Sequence, residues 1–231
     1  MNFLLILLAI VPGILIAVYI YYLDKYEKEP GWPLLICFAL GMLITLPALK
    51  IEEWAEHHGF DYSGNMFLTL VFAFVAVALT EEVLKFIVLI AFPFRQSYFN
   101  EPMDGIIYSV MIGMGFATLE NILYALDFGW GTTIMRAFTA VPAHGIFAVM
   151  MGYYIGLAKF DQKNRYKLIA IGLGLAIAIH GTYDFFILQE AYEWLMILAV
   201  VTLIISIYYG RTLIKLHQDN SPFKGISEEE E

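Results

Sequence analysis

Cysteine is almost absent from this chain: Cys37 is the only one in 231 residues. One thiol makes no intramolecular disulfide and no thiolate metal cluster. Set in an apolar run with no base nearby in sequence, Cys37 reads as core packing. Charge is scarce too. Charged residues make up 15% of the chain and hydrophobic residues 60%, whereas soluble domains carry about a quarter charged. That balance, with a mean hydropathy of +0.71, excludes an ordinary soluble domain and indicates a polytopic membrane protein. The net charge of −9 excludes a basic nucleic-acid face, because the acidic residues gather in the loop IEEWAEHHGFDYSGN and the terminal SEEEE. No basic n-region and no small-residue cleavage site accompany MNFLLILLAIVPGILIAVYIYY, and its apolar run is too long for a signal peptide. It is expected to be a first membrane span.

A helix needs about 20 apolar residues to cross the hydrocarbon core. Seven stretches qualify, near 3–22, 31–50, 66–92, 104–126, 132–157, 168–188 and 191–213. The expected fold is therefore all-α, a transmembrane helical bundle with the N-terminus outside and the C-terminus cytoplasmic. That orientation puts Lys25, Lys28, Arg95, Lys159, Lys163, Arg165, Lys167, Arg211, Lys215 and Lys224 inside, as the excess of basic residues in cytoplasmic loops requires. Only Lys50 and Arg136 then lie near the outer face. Residues 1–217 are expected to form one domain, and 218–231 an acidic, disordered cytoplasmic tail. Gly152 and Gly156, and Gly172, Gly174, Ala176 and Ala178, offer small faces for helix packing. His57 and His58 have no metal-ligand spacing and read as solvated.

Against this apolar background the polar residues stand out. A charge at bilayer depth costs roughly 2.5–3.5 kcal/mol on insertion scales, so such groups face the bundle interior and pair with one another. The third span carries Glu81, Glu82 and Lys85, the fourth Glu120 and Asn121, the fifth His144, and the sixth His180 and Asp184. Lys85 lies four residues from Glu81 and three from Glu82 and can reach either. It can neutralise only one, leaving the other to be protonated, to hold water or to bind a metal. His180 and Asp184 share a helix face. Pro142 removes a backbone donor and is expected to bend the fifth span. At about 1.5 Å per residue, Glu81, His144 and His180 lie at similar depth, with Glu120 and Asp184 slightly higher. A buried ion pair or an interhelical hydrogen bond accounts for any one of these alone. Their coincidence on four spans points to a site.

Peptide hydrolysis needs a base for water, an acid for the leaving amine and donors for the oxyanion. Glu81 or Glu82 suits the first role, a histidine can share the proton, and Asn121 can donate to the oxyanion. No serine or cysteine stands beside these groups as a nucleophile. Two histidines with carboxylates suit zinc, and Glu81, Glu120, His144 and His180 are the candidate ligands. There is no HExxH helix, so a metal-independent mechanism is the preferred expectation. A proton- or ion-coupled transporter or a non-catalytic scaffold would use the same buried groups, although the paired halves of many transporters are not evident.

DKYEKEP, EEVLKF, MDGIIYSVMIGMGFATLENILY, PAHGIFAVMMGYYIG and HGTYDF together resemble the PrsW family of intramembrane proteases, of glutamic or metallo type. The resemblance runs over most of the chain and implies an integral protein of a prokaryotic cell membrane. It implies that Glu81, Glu82, Glu120, His144 and His180 line the catalytic site, with Lys85, Asn121 and Asp184 supporting it. It also implies that the substrate is a membrane protein, with single-span anti-sigma factors cut on the extracytoplasmic side as the leading class. The related CAAX prenyl endopeptidases have a histidine where this chain has Glu120 and an arginine one position beyond Lys85, so prenylated substrates are not expected.

Overall fold

With no water in a bilayer core, every backbone N–H and C=O must be satisfied within its own segment, and long apolar runs become helices. A computed structural model describes residues 3–60 and 64–227; part of the acidic loop, 61–63, and the terminal 228–231 lie outside the described residues. The described chain is all-helical. Helix α1 is Phe3–Leu23 and α2 is Gly31–His57. A single rod follows, built of α3 (Met66–Val71), a π-helical stretch (Phe72–Ala78) and α4 (Leu79–Ala91). Asn65 starts it, its side chain accepting from the Phe67 and Leu68 N–H groups. Then come α5 (Pro102–Phe138), α6 (Ala140–Phe160), α7 (Arg165–Leu188), α8 (Met196–Asp219) and the single turn α9 (Lys224–Ser227).

Six helical stretches are long and apolar enough to cross a membrane. One of them, Pro102–Phe160, holds 59 residues and contains both α5 and α6, which the hydropathy pattern reads as two separate spans. Two further differences matter for the site. The α2 helix continues to His57, so IEEWAEH is helical rather than loop. The break before α6 falls at Thr139 (φ −123°, ψ −74°), and Pro142 sits in the first turn of α6, where a helix has no partner for that donor anyway.

The first half of α5 is the axis of the bundle: from Met103 to Thr118 every residue is buried. Glycines let its neighbours approach. Gly105 of α5 faces Gly152 and Gly156 of α6, and Gly113 faces Ala148, so α5 and α6 run antiparallel. This is the packing role the GxxxG spacing suggests. The outer faces of α1, α2 and α8 stay apolar and exposed, with Leu15, Leu35, Ile204 and Ile205 among them. Cys37 is buried in the core.

A Cβ on Gly115 of α5 would lie 1.9 Å from the Phe38 carbonyl oxygen of α2, and backbone cannot swing aside. Gly115→Ala is expected to destabilise the fold by about 1–3 kcal/mol or more. Gly174→Ala meets nothing within 4 Å and is expected to be neutral or stabilising by about 0.5–1 kcal/mol. Thermal unfolding of the two purified variants checks this, and equal midpoints would discard the packing.

Candidate active site

Helix α4 carries the paired glutamates on adjacent positions, so both cannot point the same way. A lysine one turn later gathers them. Lys85 Nζ donates to Glu81 Oε2 at 2.9 Å, to Glu82 Oε1 at 2.8 Å and lies 3.2 Å from His144 Nδ1. An ammonium has three protons and no acceptor, so all three are used and His144 Nδ1 must accept. His144 therefore carries its proton on Nε2, which donates to Glu120 Oε2 at 3.0 Å. Lys85 reaches both glutamates, as the spacing allows, although its charge balances only one. The Phe116 ring lies beneath it, 4.2 Å from Nζ to the centroid.

Helix α7 closes the group from the other side. His180 Nδ1 is 2.9 Å from Glu82 Oε1, and its Nε2 is 3.0 Å from Asp184 Oδ2. Phe147 of α6 stacks on the imidazole with centroids 4.6 Å apart, which fixes the ring plane. The two imidazoles stand edge to face at 5.2 Å. Glu81 Oε2 lies between them, 3.8 Å from His144 Nδ1 and 4.0 Å from His180 Nε2. Glu82 is fully enclosed, and its Oε2 has no partner among the described residues.

Above this floor opens a cavity of about 400 Å³ lined by Glu120, His144, His180, Asp184, Arg136 and Glu52, among others. Sequence reasoning missed two of these. Glu52 belongs to the end of α2, where the sequence pattern predicts loop. Arg136, expected near the outer face, has its Nη2 2.7 Å from Glu120 Oε2 and its guanidinium over Tyr124 at 3.9 Å. Gly129 makes this possible: its φ of 74° and ψ of −156° are open only to a residue without Cβ. The helix breaks there, and the segment beyond it turns back so that Arg136 meets Glu120. The signal available in sequence was the lone arginine of WGTTIMRAF, downstream of two glycines.

One expected supporting residue is elsewhere. Asn121 Nδ2 donates to the Ala9 carbonyl oxygen at 3.0 Å, tying α5 to α1, and Asn121 is not among the residues that line the cavity. Glu81, Glu82, Lys85, Glu120, His144, His180 and Asp184 do converge, from four helices.

The comparisons with known proteins agree in kind. The family described as "PrsW family intramembrane metalloprotease" matches residues 29–209. The chain belongs to the PrsW family. Among its relatives, a "Protease PrsW" of Geobacillus kaustophilus (strain HTA426) is 38% identical over 181 residues, covering 78% of both chains. A "Protease PrsW" of Bacillus subtilis (strain 168) is 35% identical over 187 residues, 80% of this chain and 83% of the relative. One of Clostridioides difficile (strain 630) is 35% identical over 211 residues, 86% and 85% of the two chains. No solved structure matches the chain. As a PrsW family member it is a membrane-embedded peptidase and an integral membrane protein of the bacterial type.

The family description also names a metal, and a donor set exists for one. Glu81, Glu82, His144 and His180 each offer a ligand atom within 4.8 Å of the others, two nitrogens and two oxygens of the kind zinc accepts. The arrangement fits a metal less well than the chemistry does. Lys85 Nζ already holds Glu81 Oε2, Glu82 Oε1 and His144 Nδ1. Zinc would have to displace that ammonium before it could bind these four side chains.

Proposed function

We propose that this PrsW family member hydrolyses a peptide bond of a single-span membrane protein by a glutamate-activated water, with no metal in the reaction. The observation that carries the reading is the Lys85 ammonium, hydrogen-bonded to three acceptors at the centre of the cluster. Glu82, sealed and bound to Lys85 and His180, is the anchor. Glu81, within 4.0 Å of both imidazoles, is the base.

In this reading water enters at the cavity floor and loses a proton to Glu81 as its oxygen attacks the carbonyl carbon. The C–N bond then breaks as the amine nitrogen takes a proton from the network, and the carboxylic acid and amine leave. Glu81, Glu82, Glu120 and Asp184 supply four carboxylates against the two permanent cations Lys85 and Arg136, so the network has room for the proton that Glu81 takes from water beside the one already on His144 Nε2. That is the proton store such a reaction requires. Arg136, whose Nε has no partner among the described residues, supplies the oxyanion donor in place of Asn121.

An anti-sigma factor cut near the outer face is the substrate class that the family resemblance implies. Supporting outer-side cleavage, the cavity is lined by Glu52, Glu53 and Glu56, at the end of α2 that the alternation of basic loops puts outside. Purified protein, freed of metal by a chelator, is expected to cleave a single-span test substrate at the untreated rate. Loss of cleavage on chelation, with recovery at one zinc per chain, would overturn the metal-free mechanism. Proton uptake in vesicles with no cleavage of any single-span substrate would overturn the substrate class.

A further inference from the structure

The charged motif DKYEKEP after α1 takes no part in the catalytic cavity, and it lies at the opposite end of α2. Its acids meet those of NEPMD at the start of α5. Glu27, Glu101 and Asp104 each place a carboxylate oxygen within 4.8 Å of the others. Asp24 and Glu29 join them, and Asp24, Glu29, Glu101 and Asp104 are each no more than 2% exposed.

Asp104 Oδ2 caps α5, accepting from the Asn100 N–H at 2.6 Å and the Glu101 N–H at 2.8 Å. Its Oδ1, fully buried, has no hydrogen-bond partner, and neither have Asp24 Oδ2, Glu27 Oε2 or Glu29 Oε1. The lysines nearby are spent on backbone. Lys28 Nζ donates to the Tyr21 and Asp24 carbonyls, and Lys159 Nζ to those of Phe94 and Gln96. Among the described residues none of the five carboxylates forms an ion pair with a lysine or arginine.

Buried carboxylates crowded together need protons or a cation between them. A proton shared between Glu29 and Asp104 would settle one oxygen of each, and it would leave Asp24 Oδ2 and Glu27 Oε2 still without donors. A hard divalent cation takes six or more oxygen ligands at once. We propose that Glu27, Glu101 and Asp104, flanked by Asp24 and Glu29, bind one Mg²⁺ or Ca²⁺ that clamps the α1–α2 loop to the start of α5. Glu101 also accepts from the Ser221 hydroxyl, so the clamp reaches the segment after α8.

Purified full-length protein, stripped with a chelator, is melted in rising Mg²⁺ or Ca²⁺. At about a hundred times the Kd, one of the two is expected to raise Tm by about 5–10 °C. Glu81→Gln should keep that shift, because its carboxylate belongs to the other cluster, while Glu27→Gln and Glu101→Gln should lose it. Tb³⁺ offers a second readout, since the Tyr108 hydroxyl donates to Glu29 and the ring can sensitise emission. That emission is expected in the wild type, to be competed away by Ca²⁺, and to be lost in Glu101→Gln. No Tm shift with either ion, or a shift and emission that persist in both cluster variants, would overturn the site and leave shared protons as the account.

Discussion

Glu81→Gln is expected to lower kcat/KM on a single-span substrate by about 10²–10⁴-fold, the range of a general base, while the protein stays folded. The amide keeps the size of the carboxylate, and an oxygen can still accept from Lys85, which retains Glu82 and His144 as partners. What it loses is the ability to take a proton from water between the two imidazoles. Glu82→Gln separates the roles. Glu82 receives both Lys85 and His180, and removing one partner of a buried pair costs about 3–5 kcal/mol. Its loss should therefore show first in thermal stability. Should Glu82→Gln fall in kcat with an unchanged Tm while Glu81→Gln keeps wild-type turnover, the two assignments exchange places.

Arg136→Ala is expected to lower kcat by about 10²–10³-fold, the effect of removing one oxyanion donor, with KM changed far less. A guanidinium 2.7 Å from Glu120 and over Tyr124 at 3.9 Å is held from two sides, which makes it a preorganised donor. Arg136→Lys is the informative companion: it keeps the charge beside Glu120 but loses the planar fork. If Lys restores full turnover, Arg136 serves only to balance Glu120. A rise in KM with kcat untouched would likewise remove it from the chemistry. Asn121→Ala, by contrast, should weaken the α1–α5 contact and leave kcat nearly alone.

Most of the fold was legible because lipid imposes one rule on every span. Long apolar runs place α1, the α3–α4 rod and α7 within three residues of their observed bounds, while the end of α2 and the junction of α5 with α6 differ by seven residues or more. EEVLK at helical spacing puts two acids within reach of one ammonium. The convergence of Glu120, His144 and His180 followed from the cost of charge at depth. Asn121 points towards α1 for a geometric reason: it directly follows Glu120, and neighbours on a helix point about 100° apart. When Glu120 faces the cavity, Asn121 faces α1. Arg136 was hidden differently. Hydropathy brackets the reversal at Gly129 between the spans 104–126 and 132–157, but it runs 132–138 into the next span because the break at Thr139 depends on the backbone of one residue. The reach of α2 through Glu52 was hidden because acidic helix and acidic loop have the same composition.

Helix α5 buries every residue from Met103 to Thr118 and so spans the membrane without touching lipid there. Selection acts on it as on the interior of a soluble enzyme, where volume decides and a polar atom is tolerated once it finds a partner. On the outer faces of α1 and α8 the filter is reversed: almost any bulky apolar side chain serves, whatever its shape. Sequence drift in this protease should thus run in two regimes, with shape held along α5 and oiliness alone held on the rim.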